Sequence, residues 1–148
     1  METRQKLETA LKEAMRSGDE MRKQNVRMVM SAIKLNEVEK GQQLDDAAVI
    51  AIVQKELKSR QEALQDAQKA GRTDLADRAR TEMAFLESFL PQQMTEEELM
   101  ALVNQTVTEV GASGPADMGK VMKALTPKVQ GRATGQQVSQ AVRKVLQP

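Results

Sequence analysis

Apolar side chains recur every three or four positions along nearly the whole chain, and no stretch keeps the two-residue alternation of a half-buried strand. The first segment sets Leu7, Leu11, Ala14 and Met15 on one face and stops at Gly18. A second carries Val26, Val29, Met30, Ile33 and Val38 and ends at Gly41. The third opens with Asp45 as N-cap, and Leu44 and Val49 have the spacing of a hydrophobic staple. Its stripe is Val49, Ile52, Val53 and Leu57, and Gly71 closes it. A fourth starts near Thr73 and runs through Leu75, Met83, Leu86, Phe89 and Leu90. Pro91 stops it, because proline disfavours helical geometry in the residue before it.

Past Pro91 the pattern restarts. Thr95 and Glu98 have capping-box spacing, Met94 is placed to staple Leu99, and Leu99, Leu102, Val103 and Val107 make a face that ends at Gly111. Gly114 can cap the next helix with Pro115 at its first position, and its stripe is Met118, Val121, Met122 and Leu125. Pro127 is expected to end or kink it. A second capping box, Thr134 to Gln137, opens the last helix, which buries Val138, Val142, Val145 and Leu146. The pattern therefore predicts an all-α protein of about seven helices in two groups. Residues 1–91 form a long-helix bundle, and residues 92–148 form a small three-helix tail domain. A unit of about 55 residues is marginally stable alone, so the tail is expected to lean on the bundle or on a partner.

Composition narrows the chemistry. The 148 residues include no cysteine and no histidine. Disulfides, thiolate nucleophiles, soft-metal sites and the usual neutral-pH general base are all excluded. No hydrolytic triad can be assembled without histidine. No apolar run approaches the roughly 20 residues of a bilayer span. The N-terminal METRQKLETALKEAM is amphipathic and charged and lacks the apolar centre of a secretory signal. Together these features predict a soluble cytoplasmic protein with no membrane partner, no metal, no cofactor and no catalytic residue.

Charge then changes the picture. The chain is nearly neutral, at +1, but unevenly so. Residues 1–94 hold 16 basic and 16 acidic side chains. From Pro115 onward, Lys120, Lys123, Lys128, Arg132, Arg143 and Lys144 face one acid, Asp117, a local excess of +5. Lys120 and Lys123 share a helix side away from the apolar stripe. Lys128 and Arg132 lie around the turn beside Gly131, and Gly135 begins the next helix, where free N–H groups favour anions. Arg143 and Lys144 lie toward the end of the last helix. Such a set can grip a phosphate backbone, and it can equally be a solvated face. Phe85 and Phe89, the only aromatics, are spaced for one core face, so any bound RNA is held by phosphates, 2′-hydroxyls and shape rather than by stacking.

Other features have plainer readings. GPADMGKV, Gly114–Val121, spells most of a phosphate loop, but Val121 stands where Ser or Thr would hold magnesium, and no strand precedes it. Pro115 also removes a donor, and Asp117 would put a negative charge in the cradle. Met28, Met30, Met83, Met118 and Met122 are expected as core filler before they are expected as a partner groove. Asp45/Asp46 and Glu96/Glu97/Glu98 sit at helix N-termini, where carboxylates complement the dipole. Glu37 and Glu39 point to different sides of a helix and make a poor catalytic pair.

Four segments, RMVMSAIKLNEVEKG (Arg27–Gly41), KAGRTDLADR (Lys69–Arg78), FLPQQMTEEEL (Phe89–Leu99) and DMGKVMKALTPKVQGRATGQQVSQAV (Asp117–Val142), resemble the YqeY family in order and span nearly the whole chain. That family is similar to the C-terminal portion of the GatB component of the tRNA-dependent amidotransferase GatCAB, a helical domain followed by a small tail. There the region helps recognise the tRNA body, while the kinase and glutaminase chemistry lies in parts this chain does not contain. The resemblance implies that Gly119, Lys120, Lys128, Gly131 and Arg132 face RNA. Thr134 departs from the family's common aspartate, a change that still permits capping. The leading expectation is a non-catalytic module binding tRNA or another structured RNA through Gly119, Lys120, Lys123, Lys128, Gly131, Arg132, Arg143 and Lys144. Two rivals stand beside it. One is a stand-alone carbon–nitrogen ligase using glutamine as amide donor. The other is an adaptor that docks on amidotransferase subunits or an aminoacyl-tRNA synthetase.

Overall fold

The computed structural model describes residues 2–147 and contains seven α-helices and one 3₁₀ turn, with no strand among the described residues. The chain divides into two compact units, Met1–Leu90 and Pro91–Pro148.

The first unit holds α1 (Thr3–Ser17), α2 (Glu20–Lys40), α3 (Asp46–Lys69) and α4 (Thr73–Glu87). Asp19 and Asp45 cap α2 and α3 by accepting the N–H groups of Arg22 and Ala48. Gly18 and Gly41 end α1 and α2 at φ 74° and 68°, a left-handed conformation that costs any other L-residue about 1 kcal/mol or more. The core is Leu7, Val26, Val29, Ile33, Leu44, Val49, Ile50, Val53, Leu86, Phe89 and Leu90. Phe85 meets Phe89 edge to face with ring centroids 5.1 Å apart, and the Arg22 guanidinium lies over the Phe85 ring.

Several expected core positions face solvent instead. Val38 is 71% exposed, because five residues past Ile33 amounts to about 140° around the helix and carries it off the buried face. Met15 is one step beyond buried Ala14 and is also exposed. Met28 and Leu75 are exposed as well, so Met28 is not core filler. The fourth helix ends at Glu87 rather than at Pro91, and Ser88–Leu90 continue as a turn that still drives Phe89 and Leu90 into the core.

Between the helices lies a polar network that the sequence did not announce. Glu82 is buried and accepts from Arg60 Nε at 2.5 Å and Arg78 Nε at 2.9 Å. Arg60 also donates to Asn25 Oδ1 at 3.2 Å, and Asn25 donates to the Met21 carbonyl at 2.9 Å. No buried side-chain polar atom among the described residues lacks a partner.

The second unit holds α5 (Glu96–Val110), a 3₁₀ turn (Pro115–Asp117), α6 (Met118–Val129) and α7 (Gly135–Leu146). Both capping boxes form, Thr95 with Glu98 and Thr134 with Gln137. The three helices pack on one another around Leu99, Val103, Val121, Leu125, Val129, Val138, Val142 and Leu146. Pro115 opens the 3₁₀ turn, not α6 itself. Pro127 does not end its helix: α6 runs through it to Val129. Its missing N–H removes one bond from the last turn only, and the Pro127 ring points out to solvent. The segment before α5 is tied to the turn after α6, with Met94 N–H donating to the Arg132 carbonyl at 2.9 Å and Gln93 Nε2 to the Gly131 carbonyl at 2.8 Å. No helix among the described residues is long and apolar enough to cross a membrane.

Candidate nucleic-acid interface

The eight residues singled out by sequence fall into two sets once the second unit is assembled. Lys120 and Lys123 are exposed on the side of α6 opposite Val121 and Leu125, and neither forms an ion pair among the described residues. Arg143 is exposed on α7 and is likewise unpaired. Its neighbour Lys144 reaches back to Glu96 on α5 at 3.4 Å. That contact marks the α5-facing flank of α7, and Arg143, one residue back, lies about 100° away around the helix. Lys128 likewise turns to α5. Lys120 and Lys123 thus share the exposed side of α6, and Arg143 stands exposed on α7.

The remaining cations are occupied within the unit. Lys128 Nζ lies 3.0 Å from Glu109 Oε2 and 3.5 Å from Thr106 Oγ1. Its ammonium holds the Glu109 carboxyl below the usual carboxylate range. Arg132 donates from Nε to the Gln92 carbonyl at 3.0 Å and approaches Glu98 at 3.9 Å, so it fastens the entry segment to the unit. Four carboxylates, Glu96, Glu97, Glu98 and Glu109, therefore belong to the same compact body as the six cations. With Asp117 they reduce its formal charge to +1. The +5 excess holds only for the stretch from Pro115, which leaves out α5 and its acids. The N-terminal carboxylates of α5 do more than complement a dipole: two of the three hold cations presented by the turn after α6 and by α7.

The glycines also separate. Gly131 is buried with φ 76°, so the turn itself requires it. Gly119 has an ordinary helical φ, and a Cβ built there would meet nothing within 4 Å. Neither backbone nor packing asks for glycine at that position. It sits beside Lys120 and one helical turn before Lys123, and it leaves the helix backbone open to close approach. Gly135, at the first position of α7, is similarly unconstrained.

The phosphate-loop spelling resolves into the 3₁₀ turn. Asp117 Oδ2 accepts the Ser113 N–H at 2.9 Å, filling the place an anion would need. That backbone bond, with Lys120 nearby, keeps the Asp117 carboxyl below its ordinary value. No group of three potential ligands that could hold a metal occurs among the described residues.

A family model described as Yqey-like protein matches residues 4–146. The chain belongs to the YqeY family. Two curated proteins, both named "Altered inheritance of mitochondria protein 41, mitochondrial", are also similar to it. The one from Lachancea thermotolerans is 31% identical over 113 residues, covering 74% of this chain and 60% of its own length. The one from Kluyveromyces lactis is 32% identical over 114 residues, covering 74% of this chain and 61% of its own. This YqeY-family chain thus matches about three-fifths of those proteins. Their names overturn the expectation of a cytoplasmic location. That expectation rested on the missing apolar signal centre, which argues against a secretory leader and carries no information about mitochondria.

Proposed function

We propose that this YqeY-family protein is a non-catalytic module that binds tRNA or another structured RNA, using the outer side of the α6–α7 pair. What supports the reading is that Lys120, Lys123 and Arg143 are exposed and unpaired on α6 and α7, beside a helical glycine, Gly119, that the fold does not need. A polyanion supplies what those cations lack, and Gly119 lets a phosphate come against the helix backbone. Lys128, Arg132 and Lys144 form a second rank, each shared with a carboxylate of α5. The family resemblance supports Gly119 and Lys120 in this role.

The test is direct binding of folded tRNA to the full chain and to the Gly119→Ala variant. Alanine is a better helix former than glycine, so stability should be unchanged or higher. Affinity should nevertheless fall, because the added methyl group blocks close approach. A Gly119→Ala protein that is equally stable and binds equally well removes the basis of the proposal.

A further inference from the structure

A second surface, in the first unit, is unaccounted for by RNA binding. Between α1 and α2 runs a groove of about 550 Å³ with an apolar floor and a cationic rim. Leu7 and Ile33 close it from below, and half-buried Leu11 and Met30 line its walls. Arg27 and Lys34 stand exposed along one edge, seven residues apart on α2, which is about 10.5 Å along the axis. Neither has a carboxylate within ion-pair distance among the described residues. The one acid in the lining is Glu37, whose Oε2 accepts from Arg4 Nη2 at 2.7 Å and from the Leu44 N–H at 2.7 Å. Those bonds, the Leu44 N–H first, hold its carboxyl below the ordinary range, and neither Arg27 nor Lys34 lies within ion-pair distance of it.

We propose that this groove seats an acidic amphipathic helix from a partner protein. An apolar floor suits leucine-type side chains at i, i+3, i+4 and i+7 spacing, the helix-in-groove mode of recognition. Two unpaired cations two turns apart suit two carboxylates with the same separation on such a helix. A nucleic acid would meet the cations but would gain nothing from the apolar floor, which is why a protein helix is the better occupant. The partner is thereby defined by chemistry: aliphatic on one face, acidic beside it.

The probe is a synthetic four-turn helical peptide with leucines on one face and glutamates flanking them two turns apart. A second peptide carries lysine in place of each glutamate. The full chain should bind the glutamate peptide saturably, with chemical-shift changes at Leu11, Met30 and Ile33, and should bind the lysine peptide far less. Arg27→Glu with Lys34→Glu, both at exposed positions, should weaken the glutamate peptide by about tenfold or more, and should improve the lysine peptide. Lys120→Ala with Lys123→Ala and Arg143→Ala should leave peptide binding intact, which separates this surface from the RNA-binding proposal. Equal affinity for the two peptides, or indifference to the charge reversal, overturns the inference. So does self-association abolished by the reversal, since the occupant would then be a second copy. Loss of tRNA binding in the reversed protein would assign the face to RNA instead and overturn it equally.

Discussion

The sharpest consequence of the second unit's geometry is its salt dependence. Cation number sets how steeply affinity for a nucleic acid falls with ionic strength, with a slope of about 0.9 per neutralised duplex phosphate. If all six tail cations met phosphates, the slope would be about 5, and raising salt from 50 to 200 mM would cost roughly a thousandfold or more in affinity. Of those six, Lys120, Lys123 and Arg143 form no ion pair among the described residues. Three contacts give a slope of about 2.7, and the same fourfold rise in salt costs only about 40-fold. Fluorescence anisotropy with labelled tRNA, titrated at several potassium chloride concentrations, reads the slope directly. Replacing Lys120 by alanine should lower it by about one contact's worth, to roughly 1.8. A slope near five would mean that RNA strips Lys128, Arg132 and Lys144 from their carboxylates, against the division into free and paired cations. A slope near zero, or a Lys120→Ala slope equal to that of the parent, would refute phosphate binding at this face altogether.

Three further outcomes follow from named contacts. Glu109→Gln should tighten RNA binding and raise the slope by about 0.9, because it releases Lys128; an unchanged slope would show that Lys128 does not reach RNA even when free. Glu82→Gln should destabilise the first unit by about 3 kcal/mol, since its carboxylate is only 10% exposed and answers two arginines. Arg78→Ala, at a site that is 64% exposed, should cost under about 1 kcal/mol, and urea unfolding followed by far-UV circular dichroism separates the two. Glu37 has a folded-state value below 4.5, so the stability it adds is complete above that pH and drains away as pH falls through the lowered value. The gap in melting temperature between the parent and Glu37→Gln should therefore close in acid; a gap that widens there would reverse the assigned sign.

Much of the fold was legible because its signals are local. Gly18 and Gly41, the Asp45 cap and the boxes at Thr95 and Thr134 each act within one helical turn, and each helix forms where those residues place it. The all-α architecture follows from the same repeat. What sequence could not supply were partners distant along the chain. Arg60 and Glu82 are 22 residues apart, and Lys144 and Glu96 are 48 apart. Spacing predicts none of these meetings, so the tail looked more cationic than it is, and Arg132 looked free when it is bonded to Gln92. One clue was available: the glutamates of TEEE and the tail cations belong to one small unit, and charge is best summed over a unit that folds together. The exposure of Val38 was legible too, from its angle past Ile33 around the helix axis.

The tether of Pro91–Met94 to the Gly131–Arg132 turn has a practical meaning for anyone dissecting the molecule. The four residues ahead of Thr95 behave as a clasp, with Gln92, Gln93 and Met94 each engaged by main-chain or side-chain bonds. A severed tail that begins at Thr95 would lose the clasp and leave the Arg132 guanidinium held only by its 3.9 Å approach to Glu98, free to turn elsewhere. One that begins at Pro91 would keep it shut. Two laboratories cutting four residues apart would thus be working with tails that differ in where Arg132 is held.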